Sequence, residues 1–149
     1  MIKTFRGLLK DGQQERIRLE HRDGKQGYRI KKLELISFRF GHAAYEVEST
    51  VKIFSIAQTS VSSDVNFSEQ SLLAASQIGV SGDPAVYGAA KVILFDSVTF
   101  NQDIYITHKN QHSDLASVNY YLELETVSLD DVEATAVILK NFRNTNTVV

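Results

Sequence analysis

Apolar and polar residues alternate at period two along much of the chain, which is the pattern of β-strands with one buried and one solvent-facing side. In the clearest segment, Tyr120, Leu122 and Leu124 are predicted to face the core. Glu123 and Glu125 alternate with them and are predicted to face outward. Similar stretches rich in Val, Ile, Phe, Tyr and Thr predict about eight strands, over residues 4–9, 15–20, 28–40, 46–56, 91–100, 103–108, 118–128 and 132–142.

The first turn signal lies between the first two predicted strands. Asp-Gly is a strong short-range hairpin dipeptide, because its residues tolerate the positive φ that a tight turn needs. Asp11-Gly12 stands between residues 4–9 and residues 15–20. We therefore expect these two strands to pair with each other as a hairpin.

In the third predicted strand, the side that carries the apolar residues changes twice. The alternation of apolar and polar residues shifts by one residue near Lys31-Lys32 and again near Leu35-Ile36. A continuous ladder changes face only where one strand carries an extra residue. We therefore expect two bulges, the second of which keeps Ile36 and Phe38 on the core face.

The long central connection, residues 57–90, is rich in Ser, Gly and Ala and contains the single proline. Within it, residues 68–78 carry the end signals of a short helix. Ser68 is a candidate N-cap, while Phe67 and Leu72 occupy the positions of a hydrophobic staple. A glycine follows directly after the segment, where a helix commonly ends.

These elements predict an all-β protein, an antiparallel β-sandwich of jelly-roll type with about eight strands and one short helix in the central connection. A length of 149 residues with 43% hydrophobic residues is enough for one sizeable core. We therefore expect one domain over residues 1–149, with residues 144–149 as a polar C-terminal tail.

Composition excludes several classes of site. The chain has no cysteine, which excludes disulfides, thiolate zinc sites, iron–sulfur clusters and cysteine nucleophiles. No apolar stretch approaches the length of a membrane span, and the first residues lack the apolar run of a secretory signal. We therefore expect a soluble protein that has no membrane partner.

Charge is distributed unevenly along the chain. Residues 1–40 carry 11 of the 16 Lys and Arg residues but 5 of the 18 Asp and Glu residues, so this segment is basic and the remainder is acidic. Two interpretations are open: the charges lie on solvated strand faces, or a basic edge meets an acidic surface of a neighbouring copy. Nucleic acid is not an expected partner, because Glu15, Glu20 and Glu34 interrupt the basic segment.

Few residues have the spacing that catalysis or metal binding requires. Glu123 and Glu125 would lie roughly 7 Å apart on one strand, a separation that suits a glycosidase, but the solvated face of a strand is the favoured interpretation. A hydrolase would need both carboxylates in a pocket. His108 and His112 are four residues apart, yet the polar residues around them predict a loop and not a metal-binding helix. We therefore expect no enzyme activity, no cofactor and no metal.

Five segments of the chain carry a resemblance to known proteins. They are 5–12 (FRGLLKDG), 15–19 (ERIRL), 27–30 (GYRI), 95–108 (FDSVTFNQDIYITH) and 119–125 (NYYLELE). Together they resemble small virion proteins of marine tailed bacteriophages, over about residues 4–143, and the likeness is weakest in residues 57–90. The family has no active site to transfer, and its members imply a structural role.

The resemblance implies a non-enzymatic virion structural protein. We expect a capsid decoration or cement protein on the outside of the head, assembled in the host cytoplasm, with the major capsid protein or other virion proteins as partners. We also expect a homo-oligomer, with a trimer as the first hypothesis. The candidate contact residues are Arg6, Arg16, Arg18, Arg29, Tyr87, Asn144 and Val149.

A carbohydrate-binding module on a virion surface or tail fibre is the alternative. A groove that joins an exposed tyrosine to Asp, Asn and Gln side chains would favour sugar binding, whereas a flat apolar patch would favour assembly. Jelly rolls serve both roles, so the fold does not choose between them. The tyrosines considered for sugar binding are Tyr45, Tyr87, Tyr105 and Tyr121.

Overall fold

Alternating apolar residues form two antiparallel sheets, which pack face to face around a hydrophobic core. The computed structural model describes residues 1–20, 22–39, 47–82, 85–87, 91–111 and 116–147. A short 3-10 turn, Arg22–Gly24, precedes the third strand. The other elements of these residues are β1 (Ile2–Leu9), β2 (Gln14–Ile17), β3 (Gln26–Ser37), β4 (Val47–Phe54), β5 (Leu72–Gly82), β6 (Ala85–Tyr87), β7 (Lys91–Leu94), β8 (Ile104–Asn110), β9 (Val118–Ser128) and α1 (Asp131–Thr147).

The strand order confirms the predicted fold class. One sheet, sheet A, has the order β1-β9-β3, and the other, sheet B, has the order β2-β8-β4-β5-β6, with β7 also pairing with β5. The first strand thus pairs with the last, β2 pairs with β8, and β4 pairs with β5. This nested pairing of early with late strands is the order of a jelly roll, so the protein is an antiparallel β-sandwich of that type.

Along β9, successive side chains point alternately into the core and toward the surface, as the sequence predicts. Leu122 and Leu124 are fully buried, and Tyr120 is nearly so. The residues that alternate with them, including Glu123, lie on the opposite side of the strand and are only partly buried or exposed. Sheet B contributes further side chains to the same core, among them Val51, Ile53, Ile104 and Ile106.

The predicted hairpin between residues 4–9 and 15–20 is wrong. β1 pairs with β9 in sheet A, whereas β2 pairs with β8 in sheet B. The Asp11-Gly12 turn is present, with Gly12 at a φ of 78°, but it carries the chain from one sheet to the other. Its hydrogen bonds hold it there, because the Gly12 N–H donates to the carbonyl of His108 on β8 over 2.9 Å.

One of the two predicted bulges is confirmed. The register of β3 against β9 shifts between Ile30 and Lys32, which places the extra residue at Lys31. The bulge predicted near Leu35-Ile36 is wrong, because the ladder continues without a shift to the end of β3. Ile36 therefore points away from the core and is 66% exposed, although its residue type favours burial.

The helix predicted over residues 68–78 is wrong, and most of that segment belongs to β5. Residues 71–76 are all buried, so their run of small and apolar residues lacks the alternation that identifies a half-buried strand. The expected helix start is a turn, in which the side-chain oxygen of Asn66 accepts from the Ser68 N–H over 3.1 Å. The long connection predicted over residues 57–90 is correspondingly shorter, because β5 and β6 occupy its second half.

The strand predicted over residues 132–142 is wrong, and α1 extends into the predicted tail over residues 144–149. Residues 148 and 149 lie outside the described residues. The pairing of β9 explains the error, since both of its edges are already occupied, by β1 and by β3. The chain that follows β9 therefore finds no free edge of that strand with which to form a hairpin.

Asp130 starts the helix at this point, and Asn101 holds it against the sandwich. The side-chain Oδ1 of Asp130 accepts from the Glu133 N–H over 2.8 Å, as an N-cap does. Ala134 is buried, and the side-chain amide of Asn101 donates to its carbonyl over 3.5 Å and to the carbonyl of Gly24 over 3.0 Å. α1 thus covers one end of the sandwich beside the Arg22–Gly24 turn.

We predict that Asp130→Ala lowers the free energy of unfolding by about 1 kcal/mol, because it leaves an N-terminal backbone N–H of α1 without its acceptor. The measurement is denaturant unfolding followed by circular dichroism at helix and strand wavelengths. Thr135→Ala is the matched control, since the Thr135 hydroxyl donates to the Asp131 carbonyl within the exposed helix and caps nothing. Equal losses in both variants would contradict the capping role.

Candidate functional site

The outer face of sheet A consists of the side chains of β1, β9 and β3 that point away from the core. The register joins them into rows that cross the sheet through one residue of β9. Leu8, Asn119 and Ile36 form one row, which we call the apolar row. The next row, which we call the charged row, consists of Arg6, Tyr121 and Glu34.

The apolar row leaves large hydrophobic side chains in solvent. Leu8 is 41% exposed and Ile36 is 66% exposed. Phe38, 53% exposed, follows directly after the end of β3, where its N–H donates to the Ser117 carbonyl over 3.2 Å. Asn119 lies between Leu8 and Ile36. Exposed apolar side chains beside charged ones are typical of a surface that binds another macromolecule.

The charged row places opposite charges on the two edge strands. Arg6 lies on β1 and is exposed, and Glu34 lies on β3, two strands away. Glu34 also forms an exposed ion pair with Lys32 over 3.3 Å. Between the two edges, the Tyr121 hydroxyl donates to Glu123 over 2.8 Å, and this hydrogen bond raises the pKa of Tyr121.

Sheet B differs because its outer face is crossed by the loop that joins β4 to β5. Lys52 holds the loop, since its Nζ donates to the Asp64 carbonyl over 2.6 Å. This lysine is 6% exposed, and its burial lowers its pKa. Gln14 and Gln58 fix the start of the loop through two hydrogen bonds of 3.1 and 2.8 Å. Sheet A is thus the sheet whose outer face carries the exposed apolar row.

A second surface feature is a groove of about 420 Å³ beside the junction of β2 and β8. Arg16 and Tyr105 are direct cross-strand partners along its wall. Asp103 accepts from Arg16 Nε over 2.6 Å and from the Leu19 N–H over 2.9 Å. Its carboxylate raises the pKa of Arg16 through this hydrogen bond and its charge. The other lining residues include Gln102, Asn141, Ser55 and Thr59.

The glutamates considered for glycoside hydrolysis lie on the outer face of sheet A. Glu123 accepts from the Tyr121 hydroxyl, and Glu125 pairs with Lys31 over 3.2 Å. Their backbone partners across the sheet belong to both edge strands. The nearest groove on this face is lined by the charged row and the apolar row, and its lining includes neither glutamate.

His108 lies in the core. Its Nδ1 is 3.1 Å from the Lys10 carbonyl and its Nε2 is 2.8 Å from the Ser49 hydroxyl. A carbonyl only accepts, so Nδ1 carries the proton and Nε2 accepts from Ser49 in the neutral ring. Both ring nitrogens are therefore engaged within the protein. His112, the other histidine of the predicted pair, lies outside the described residues.

The structure does not bring the predicted contact residues together. Arg6 and Arg29 lie on opposite edge strands of sheet A, and Arg29 donates to the Thr99 hydroxyl over 2.9 Å. Arg16 belongs to the groove on sheet B, and Arg18 is exposed just after β2. The remaining contact positions are Tyr87 in β6, Asn144 in α1, and Val149 outside the described residues. Tyr45, one of the tyrosines considered for sugar binding, also lies outside them.

The sequence predicts the outer face of sheet A only in part. Arg6 is a predicted contact residue and Tyr121 a candidate for sugar binding, whereas Leu8, Ile36 and Glu34 are not among the predicted contact residues. The second change of parity in β3 is the signal of this surface, although a bulge is the interpretation given above. A bulge and an exposed apolar row produce the same sequence pattern, and the straight register of β3 decides between them.

Among the described residues, no three His, Asp or Glu side chains cluster closely enough to hold a metal ion. The helix in the described part of the chain lacks the length and apolar character needed to cross a membrane.

We predict that protonation of His108 opposes folding. Burial lowers its pKa, and Lys109 adds to this effect while Asp11 opposes it. In the unfolded chain the ring titrates near 6.5. As the pH falls through that value, the unfolded chain binds a proton that the folded chain does not, so the free energy of unfolding decreases by at most about 1.4 kcal/mol per pH unit.

Denaturant unfolding between about pH 7 and pH 5 measures this dependence. His108→Gln is expected to flatten the profile over that range, because it removes the titrating ring. The ring nitrogen shifts of the wild-type chain provide a second measurement, in which His108 titrates below the ordinary histidine value. A His108 pKa at or above that value would contradict the prediction.

Neither a scan against protein-family models nor a search of curated proteins finds a match to this chain.

Proposed function

We propose that the chain is a non-enzymatic virion structural protein of a tailed bacteriophage, which decorates the outside of the capsid and stabilises the head through protein–protein contacts. The observation that carries the proposal is the outer face of sheet A, where the apolar row and Phe38 are exposed beside the charged row. The sequence resemblance to small virion proteins supports the same role. Its partners are the major capsid protein or other virion proteins, and further copies of itself.

A decoration role needs interface area and complementarity, and not a catalytic constellation. Protein interfaces combine an apolar centre with a polar and charged rim. The apolar row and the charged row lie side by side on sheet A and together combine apolar and charged side chains in this way. The jelly-roll fold is also compatible with the role, since this fold occurs in capsid proteins as well as in lectins.

We predict that the protein is present on the particle surface in a fixed ratio to the major capsid protein. Quantitative mass spectrometry of purified particles measures the ratio, and antibody labelling in electron microscopy locates the chain on heads or tails. Replacing Ile36 by Asp is expected to reduce its occupancy on the particle, because a charge interrupts the apolar row. Val132→Asp is the matched control, since Val132 is an exposed apolar residue on α1.

Absence from heads, or a few copies per particle confined to the tail, would contradict the decoration role. Equal occupancy of the Ile36 and Val132 variants would show that the outer face of sheet A is not the contact.

A second candidate function is saccharide binding at the groove beside Tyr105. An aromatic ring next to a carboxylate, a guanidinium and carboxamides is the side-chain set that sugar hydroxyls and ring faces contact. Tyr105, Asp103 and Gln102 line the groove together with Arg16 and Asn141. This site is separate from the outer face of sheet A, so the two candidates are tested by different variants.

If the groove binds saccharides, amide spectra of the labelled chain will change at β8 and β2 when glucose, galactose or N-acetylglucosamine oligomers are added. Tyr105→Ala is expected to abolish these changes, because it removes the stacking surface while the Arg16–Asp103 pair stays in place. Tyr121→Ala is the control on the other sheet. Unchanged spectra with all three sugars would leave the groove without this role.

A further inference from the structure

We propose that the outer face of sheet A binds a second copy of the chain face to face, with a two-fold axis parallel to β9. Arg6 of each copy then lies opposite Glu34 of the other. The inference rests on the proposed assembly role and names the partner and orientation of that surface.

The positions of the charges on the sheet suggest the pairing. Arg6 and Glu34 occupy the same row on the two edge strands, and Tyr121 lies between them on the central strand. Leu8 and Ile36 are placed in the same way in the neighbouring row. A rotation about an axis along β9 exchanges the edge strands and keeps each row at its height. It therefore sets Arg6 against Glu34 and Leu8 against Ile36 of the second copy.

Other two-fold orientations of the same face are less favourable. An axis that lies in the plane of the sheet and runs perpendicular to the strands would place β1 on β1 and β3 on β3. If that axis lies at the height of the charged row, Arg6 faces Arg6 and Glu34 faces Glu34, which places like charges together. At any other height the charged row does not face itself, and the Arg6–Glu34 contacts are lost. Packed sheets lie about 10 Å apart, a distance that an arginine and a glutamate side chain bridge together. Electrostatic complementarity thus selects the axis along β9.

The face is small for a stable dimer. β1 has 8 residues, and three strands of that length cover about 14 Å by 27 Å at the usual strand spacing and rise. This area falls below that of a standard interface, which buries about 800 Å² per partner. We therefore expect weak association of the free chain, which local concentration on a particle would strengthen.

Two carboxylates oppose the pairing, and one of them provides a second test of the axis. Glu123 and Glu125 both lie on the outer face of β9, so each carboxylate faces its own copy across the axis. Lys32 lies in the row of Glu123 and Lys31 pairs with Glu125, which reduces the local negative charge. Glu123→Gln removes the like charges and is expected to tighten the dimer severalfold. If Glu123 instead faced a cation of the second copy, Glu123→Gln would weaken the dimer.

Charge reversal tests the proposal directly, with sedimentation velocity at low salt over a range of chain concentrations. Arg6→Glu and Glu34→Arg each create two like-charge contacts per dimer and are expected to weaken self-association at least tenfold. An equal mixture of the two variants restores both opposite-charge contacts and is expected to form a heterodimer. The Arg6→Glu, Glu34→Arg double variant is likewise expected to dimerise.

Arg18→Glu is the matched control, because Arg18 is exposed outside sheet A and its reversal changes the net charge by the same amount. Thermal unfolding of each variant verifies that the fold is intact. Higher salt is expected to weaken the wild-type dimer, since it screens the Arg6 and Glu34 contacts.

A wild-type monomer, a trimer, or a mixture of single variants that stays monomeric would overturn the proposal. So would an Arg18→Glu effect equal to that of Arg6→Glu. These outcomes are distinct from failure of the decoration role. A monomer that still occurs on heads in a fixed ratio overturns the dimer alone, and a dimer that is absent from particles overturns the decoration role alone.

Discussion

The central position of β9 in sheet A is the constraint on which the rest of the structure depends. Its ladder to β1 and its ladder to β3 fix which side chains enter the core and which form the outer face. Because both edges are occupied, the following segment leaves the sheet and becomes α1, which begins at Asp130 and covers one end of the sandwich. The helix and the proposed interaction surface thus have the same structural cause.

The sequence predicts the fold class and the individual strands better than their partners. Alternation is a local property, so β9 is predicted with its observed ends and the bulge at Lys31 is located. Strand pairing is not a local property. Asp11-Gly12 has the residue types of a hairpin turn, but the Gly12 N–H donates its hydrogen bond to His108 on β8. The segment that forms β5 was predicted as a helix because burial on both faces removes the alternation.

The helix that was missed carried a recognisable signal. Asp130 is followed three residues later by Glu133, which is the spacing of a capping box, and Ala134 and Ile138 follow on one helix face. The Val, Ile and Phe residues of the segment also fit a strand, so the N-cap signal at Asp130 competes with the composition of the residues that follow it. The occupied edges of β9 settle this choice, and they are visible only in three dimensions.

The difference between the two sheets bears on function. The loop held by Lys52 crosses the outer face of sheet B, whereas sheet A exposes Leu8 and Ile36. Exposed apolar side chains on a sheet face promote unselective association unless charges restrict the geometry. Arg6 and Glu34 supply that restriction, because their places on opposite edges favour one orientation of a second copy and oppose its alternative. Apolar area then contributes attraction, and the charged row contributes selectivity.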